Sequence, residues 1–112
     1  MAEVSESLYH GPTYNLDDVK DRVSKGLFST TRRVSRFILE HVDLNIRDAI
    51  SEVFEAVDRS GFRKSVELDC IPGVRADVYH VHVFDEEYYL KFFISDEEIV
   101  VVLSCCIDGM NH

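Results

Sequence analysis

The sequence predicts an α+β domain in which N-terminal helices pack on one face of an antiparallel β-sheet. Two observations carry that prediction. The apolar residues recur with a period near 3.6 as far as Gly61 and near two after it. The helices therefore precede the strands, an order that gathers them on one side of the sheet instead of interleaving them with it. A chain of 112 residues, 46% apolar and 11% aromatic, is long enough for one core and too apolar for a disordered polyanion. Residues 1–112 are expected to form a single domain, with 1–13 as a flexible lead-in.

The first helix is read from NLDDVKDRVSKG. Asn15 can cap it, Asp17 and Asp18 suit its first turn, Leu16, Val19 and Val23 share one stripe, and Gly26 can close it. The second, within LFSTTRRVSRFILEHV, is capped by Thr30 or Thr31 and turns Val34, Phe37 and Ile38 inward. Its early turns carry Arg32, Arg33 and Arg36, which oppose the helix macrodipole. Three arginines on a solvated helix are ordinary; the alternative is that they meet something anionic. The third helix, DLNIRDAISEVFEAVDRSG, lines up Ile46, Ala49, Ile50, Val53, Phe54 and Val57, with Gly61 expected as its stop.

Four strands are expected beyond Gly61: FRKSVELDCI, Asp77 to Phe84, Glu87 to Ile94, and Ile99 to about Ser104, with Pro72 and Gly73 breaking the chain after the first. The start, MAEVSESLYHG, lacks the basic and apolar regions of a secretory signal, and IVVVLSCCI is far shorter than the roughly 18 residues of a membrane span. A cytoplasmic protein without membrane association is expected. Cys70, Cys105 and Cys106 are odd in number and lack ligand-like spacing, which suits reduced thiols and argues against a disulfide or a zinc knuckle.

Charge is uneven along the chain. Residues 1–64 hold ten Lys/Arg against eleven Asp/Glu, whereas residues 65–112 hold two against ten. An acidic second half attracts a basic protein and repels RNA unless a local basic patch overrides it.

The stretch DVYHVHVFDEEYYLKF holds the densest set of candidate functional groups. If Asp85 and Glu86 form a two-residue turn, Val83 faces Tyr88, Val81 faces Leu90 and Tyr79 faces Phe92 on an apolar side. The other side then pairs His82 with Tyr89 and His80 with Lys91, gathering four polar groups on an open surface. A three-residue loop would break that cluster. Histidine titrates near neutrality, tyrosine and lysine donate hydrogen bonds, and lysine adds charge for an anionic transition state. Cleavage of RNA through its own 2′-hydroxyl needs these roles; the alternative is an exposed sheet face that is polar for solubility. Two histidines at i and i+2 also fit a metal, but further ligands are not apparent, and neither metal nor cofactor is expected.

In order and spacing, YNLDDVKDRVSKGLFSTTRRV, FRKSV, ADVYHV and YYLKF resemble the MqsR (motility quorum-sensing regulator) family, from about Tyr14 to Ser104. The resemblance implies a RelE-like α+β fold. It also implies a toxin of a toxin–antitoxin pair, acting as a ribosome-independent, sequence-specific mRNA endonuclease with a cognate antitoxin protein as partner. Its active-site lysine falls on Lys64 and its tyrosine on Tyr89, whereas its glutamine falls on Ala76 and its last-strand lysine on Ser104 or Cys106. His80 and His82 stand where the family varies and are candidates for the missing acid/base work. In the ribonuclease reading Lys64, Tyr89, His80 and His82 are catalytic, and Arg32, Arg33, Arg36 and Lys91 contact the RNA backbone. In the alternative, an inactive relative docks an antitoxin or DNA-binding regulator through an acidic sheet.

Overall fold

The computed structural model describes residues 11–109. Its elements are helix α1 (Leu16–Ser24), strand β1 (Phe28–Thr30), helices α2 (Arg32–His41) and α3 (Ile46–Ala56), a single 3-10 turn (Arg59–Gly61), and strands β2 (Phe62–Glu67), β3 (Arg75–Val83), β4 (Glu86–Ile94) and β5 (Val100–Ile107). The expected lead-in over 1–10 lies outside the described residues, while Thr13 and Tyr14 are tied to β3: both backbone N–H groups donate to the Asp77 carboxylate at 2.9 Å.

Local chemistry sets the helix ends. The Asn15 side chain accepts from the Asp18 N–H, Thr31 from Val34, and Asn45 from Asp48. Thr31, and not Thr30, is thus the cap of α2. Gly26 closes α1 with φ +81°, while its N–H and that of Leu27 return to the carbonyls of Val23 and Arg22, a Schellman arrangement that needs a left-handed residue at this point. Of the apolar stripes foreseen for the helices, Leu16, Val19 and Val23, Val34 and Ile38, and Ala49, Ile50, Val53, Phe54 and Val57 are buried, while Phe37 and Ile46 are partly buried and pack against the core.

The sheet order is β1-β5-β4-β3-β2. Strands β2 to β5 form the expected antiparallel meander, and β1 adds to β5 in parallel, making the five-stranded sheet mixed. The three-residue β1 is too short to show a period and escaped sequence reading. Helices cover one face, meeting Tyr79, Val81, Tyr88, Leu90, Phe92, Val100, Val102 and Cys105 in a single core. Aromatic contacts tie the layers together: Phe54 sits edge-on to Phe92 at 5.3 Å, and Phe92 stacks on Tyr79 at 5.8 Å.

Gly61 does not stop the third helix. That helix ends at Ala56 with Val57 as its cap, and Gly61 lies in the turn leading into β2. A Cβ at Gly61 would stand 2.3 Å from the His80 carbonyl oxygen, so glycine is needed for close backbone approach to β3. Gly61→Ala is expected to cost roughly 2 kcal/mol or more in urea denaturation, because the obstacle is backbone and cannot swing aside. An unchanged urea midpoint would contradict this close approach.

Burial also shapes the response to alkali. The Tyr79 and Tyr88 hydroxyls are pushed by desolvation from 10.0 up to about 12, and burial takes the Cys105 thiol from 9.0 up to about 12. In the unfolded chain these groups ionise first, so stability is fully present below about pH 9 and is lost as pH rises toward 12. Urea midpoints should fall steeply between pH 9 and 12, and less so in Tyr79→Phe measured against its own value at pH 8.

Candidate functional site on the open face of the sheet

The face away from the helices is built by two irregularities in the ladder. In β2, Phe62 pairs with Tyr79 but Lys64 pairs with Val78, so two residues of β2 are spent on one step of β3. This bulge makes Arg63 the extra residue. Phe62 consequently packs on the Tyr79 ring at 5.5 Å inside the core, while Lys64 turns to the open face. In β5 the partners step from Val102 to Ser104 between Phe92 and Lys91, which leaves Leu103 as the extra residue.

The β3–β4 hairpin differs from its expected register. Its two-residue loop is Phe84–Asp85, with φ of +56° and +62°, and not Asp85–Glu86. Positive φ at both positions matches the strand twist that tight hairpins require; aspartate tolerates it, and Phe84 is held by edge-on packing against Tyr88 at 5.9 Å. His80 therefore faces Tyr89, His82 faces Glu87, and Val78 faces Lys91. On the apolar side Tyr79 faces Leu90 and Val81 faces Tyr88. Each partner is displaced by two positions, an even number, so every side chain keeps the face that the alternation assigned to it.

Rows of side chains thus cross the open face. One runs Lys64, Val78, Lys91, Ser104; the next runs His80, Tyr89, Cys106; beyond it His82 faces Glu87. The structure brings together Lys64, His80, His82, Tyr89 and Lys91. His80 is half-buried, its ring 6.2 Å from that of Tyr89 and its Nδ1 3.9 Å from Asp108 Oδ2. His82 is exposed, and Glu87 Oε2 lies 2.7 Å from its Nδ1, leaving Nε2 as the ring nitrogen not engaged by that carboxylate. Glu87 and Asp108 were missed by sequence reading; the one-residue shift of the loop is the signal that would have paired Glu87 with His82.

The arginines divide. All three are exposed, but Arg33 lines a crevice between α2 and β5 with Phe37, Ser104, Cys105 and Cys106, and Arg32 and Arg36 do not. Cys106 has its thiol raised first by burial, with Arg33 drawing it down and Asp108 pushing it up. Cys70, Cys105 and Cys106 are all free thiols. Among the described residues, no group of three or more His, Cys, Asp or Glu is placed to hold a metal ion, and no helix is long and apolar enough to cross a membrane.

Acidic residues of the second half gather at the turns that edge the sheet, while Glu87 and Asp108 stand beside the open-face histidines His82 and His80. Asp85, Glu86 and Glu87 sit at the β3–β4 hairpin and Asp96, Glu97 and Glu98 in the β4–β5 turn, with Glu98 bound by Arg22 through carboxylate and carbonyl. Asp77 is fully buried. The open face thus carries both signs, with Lys64 and Lys91 in its middle row and Glu87 and Asp108 beside His82 and His80.

The bulge that separates Phe62 from Lys64, and the register that sets Tyr89 beside His80, give physical sense to the motifs F-x-K-S, D-V-Y and Y-L-K. Residues 11–104 match the family model described as motility quorum-sensing regulator, toxin of MqsA. The chain belongs to the MqsR toxin family. Its place is therefore among toxins of toxin–antitoxin pairs, with an antitoxin of the MqsA kind implied as partner. No curated protein matches the sequence. Against the MqsR pattern, Ala76 is fully buried and clusters with Leu68 and Phe93, so packing fills the position of the glutamine. Cys106 faces Tyr89 and Ser104 faces Lys91, so both candidate positions for the last-strand lysine lie on the open face. Ser65 and Asp77, also in MqsR motifs, are fully buried and serve the fold: Ser65 bonds Thr13 and Arg75, and Asp77 takes the two N–H groups of Thr13 and Tyr14.

Proposed function

We propose that the protein is a cytoplasmic mRNA interferase: a ribosome-independent, sequence-specific endoribonuclease that is held inactive by its antitoxin. The observation that carries this reading is the convergence of Lys64, His80, Tyr89 and Lys91 on adjacent rows of one open face. Lys64 and Lys91 stand two strands apart, about 10 Å at the backbone, and bracket a space of phosphodiester size.

Cleavage proceeds by attack of the 2′-oxygen on the adjacent phosphorus and departure of the 5′-oxygen, giving a 2′,3′-cyclic phosphate and a 5′-hydroxyl. One base removes the 2′-hydroxyl proton and one acid protonates the leaving oxygen. His80 and His82, about 7 Å apart on the same side of β3, serve these two oxygens. His80 takes the first proton with Asp108 behind it, and His82 delivers the second through Nε2 while Glu87 orients the ring. Lys64 stabilises the phosphorane charge, and the Tyr89 hydroxyl donates to a non-bridging oxygen. Lys91 holds the neighbouring phosphate.

The purified chain, incubated with mRNA in the presence of EDTA, should yield fragments ending in a cyclic phosphate. Lys64→Ala/Tyr89→Phe should leave the RNA intact. RNA that stays intact with the wild type would overturn the enzyme reading and favour a binding module.

A further inference from the structure

Strand β5 borders the site but brings no cation to it: Val100–Ile107 reads VVVLSCCI. Lys64 comes from β2 and Lys91 from β4, the strand next to β5, so the lysines of the open face stand on β2 and β4 and none stands on β5 itself. An RNA backbone crossing the sheet past Tyr89 would meet no cation on β5 itself. Among the described residues, the one basic side chain that lines the β5 crevice comes from α2, and it is Arg33.

Position follows from the fold. Strand β1 ends at Thr30, opposite Val102, and the Thr31 N–H donates to the Val102 carbonyl, so α2 begins where the outer edge of β5 would otherwise be open. Val34 and Ile38 anchor the helix in the core. Arg33, one residue before Val34, is thereby set beside Ser104, Cys105 and Cys106. Its charge is felt at the Cys106 thiol, which faces Tyr89 across the β4–β5 ladder.

We infer that Arg33 is the phosphate-binding group on the β5 side of the site, supplying from a helix the positive charge that β5 itself lacks. The inference rests on the ribonuclease reading and deepens it. The RNA backbone is then held at both sides of Tyr89, by Lys64 toward β2 and by Arg33 toward β5. A planar guanidinium suits this post, since it takes two phosphate oxygens at once.

The test uses the full chain and an RNA oligonucleotide that it cleaves. Arg33→Ala is expected to lower kcat/KM at least about 30-fold and to flatten the dependence of log affinity on log salt by about 0.7, the loss of one phosphate contact on a single strand. Lys25→Ala, a change of the same charge on α1, should alter cleavage less than about 3-fold, which controls for net charge. Adding Cys106→Lys to Arg33→Ala should recover at least about 10-fold, because a lysine there returns a cation to the β5 side. Cleavage by Arg33→Ala within about 3-fold of wild type, a loss equalled by Lys25→Ala, or failure of Cys106→Lys to recover activity in a variant with wild-type urea midpoint would each overturn the inference. If the wild type does not cleave at all, the enzyme reading falls on its own. Binding of the 2′-O-methyl oligonucleotide then decides: weakening by Arg33→Ala but not by Lys25→Ala supports the phosphate site, and no difference between them removes it.

Discussion

Lys64→Ala is expected to lower RNA cleavage by about three orders of magnitude, roughly 4 kcal/mol of transition-state stabilisation, the scale for removing one preorganised charge donor. The reason is geometric. The Phe62–Lys64 bulge gives Lys64 to the open face, in line with Val78, Lys91 and Ser104 and one row from Tyr89. No other lysine of β2 can take its place, since β2 reads FRKSVE. The loss should fall on kcat more than on KM, because the charge that Lys64 meets grows only in the transition state. Lys64→Arg should retain more activity than Lys64→Ala. Growth of an inducing bacterial host gives a second readout: wild type should arrest it and Lys64→Ala should not. Single-turnover cleavage by Lys64→Ala at the wild-type rate would remove lysine from the mechanism.

Asp77→Ala is expected to destabilise the protein by about 3 to 5 kcal/mol, since two backbone donors lose their acceptor at a buried site. Asp77 is fully buried and takes the N–H groups of both Thr13 and Tyr14 at 2.9 Å. Around it the same segment is fastened by the Thr13 and Ser65 hydroxyls at 2.6 Å and by the Tyr14 hydroxyl donating to the Arg75 carbonyl at 2.7 Å. The entry to α1 is thus pinned to the middle of β2 and β3 by one carboxylate. Asp77→Asn keeps one good acceptor and should cost less than Asp77→Ala. Urea denaturation would show the difference, and a cost below about 1 kcal/mol for Asp77→Ala would mean that this segment adds little to stability.

The open face was partly legible because alternation survives an error in register. The loop was expected at Asp85–Glu86 and lies at Phe84–Asp85, yet the two-position displacement leaves His80, His82, Tyr89 and Lys91 on the face assigned to them. Which groups oppose each other was not legible. The choice depended on whether Phe84 would accept a left-handed backbone, and that depended on Tyr88 being there to pack against its ring.

By itself the sequence determined the helices, the Asn15 cap and most of the buried stripes, the four-strand meander, and membership of the MqsR family through motifs in order and spacing. These are local properties, set by side chains within one turn or one strand of each other. Only the tertiary structure decided that Lys64 leaves the side of Phe62, since strict alternation would keep the two together; the bulge exists because Phe62 is drawn into the core against Tyr79. It also decided that Gly61 serves a close approach to His80 and not a helix stop, and that β1 adds to β5. Above all it separated Arg33 from Arg32 and Arg36, which are indistinguishable as letters. A helix begun at Thr31 and anchored by Val34 against β5 can bring only one of the three to the crevice beside Cys106.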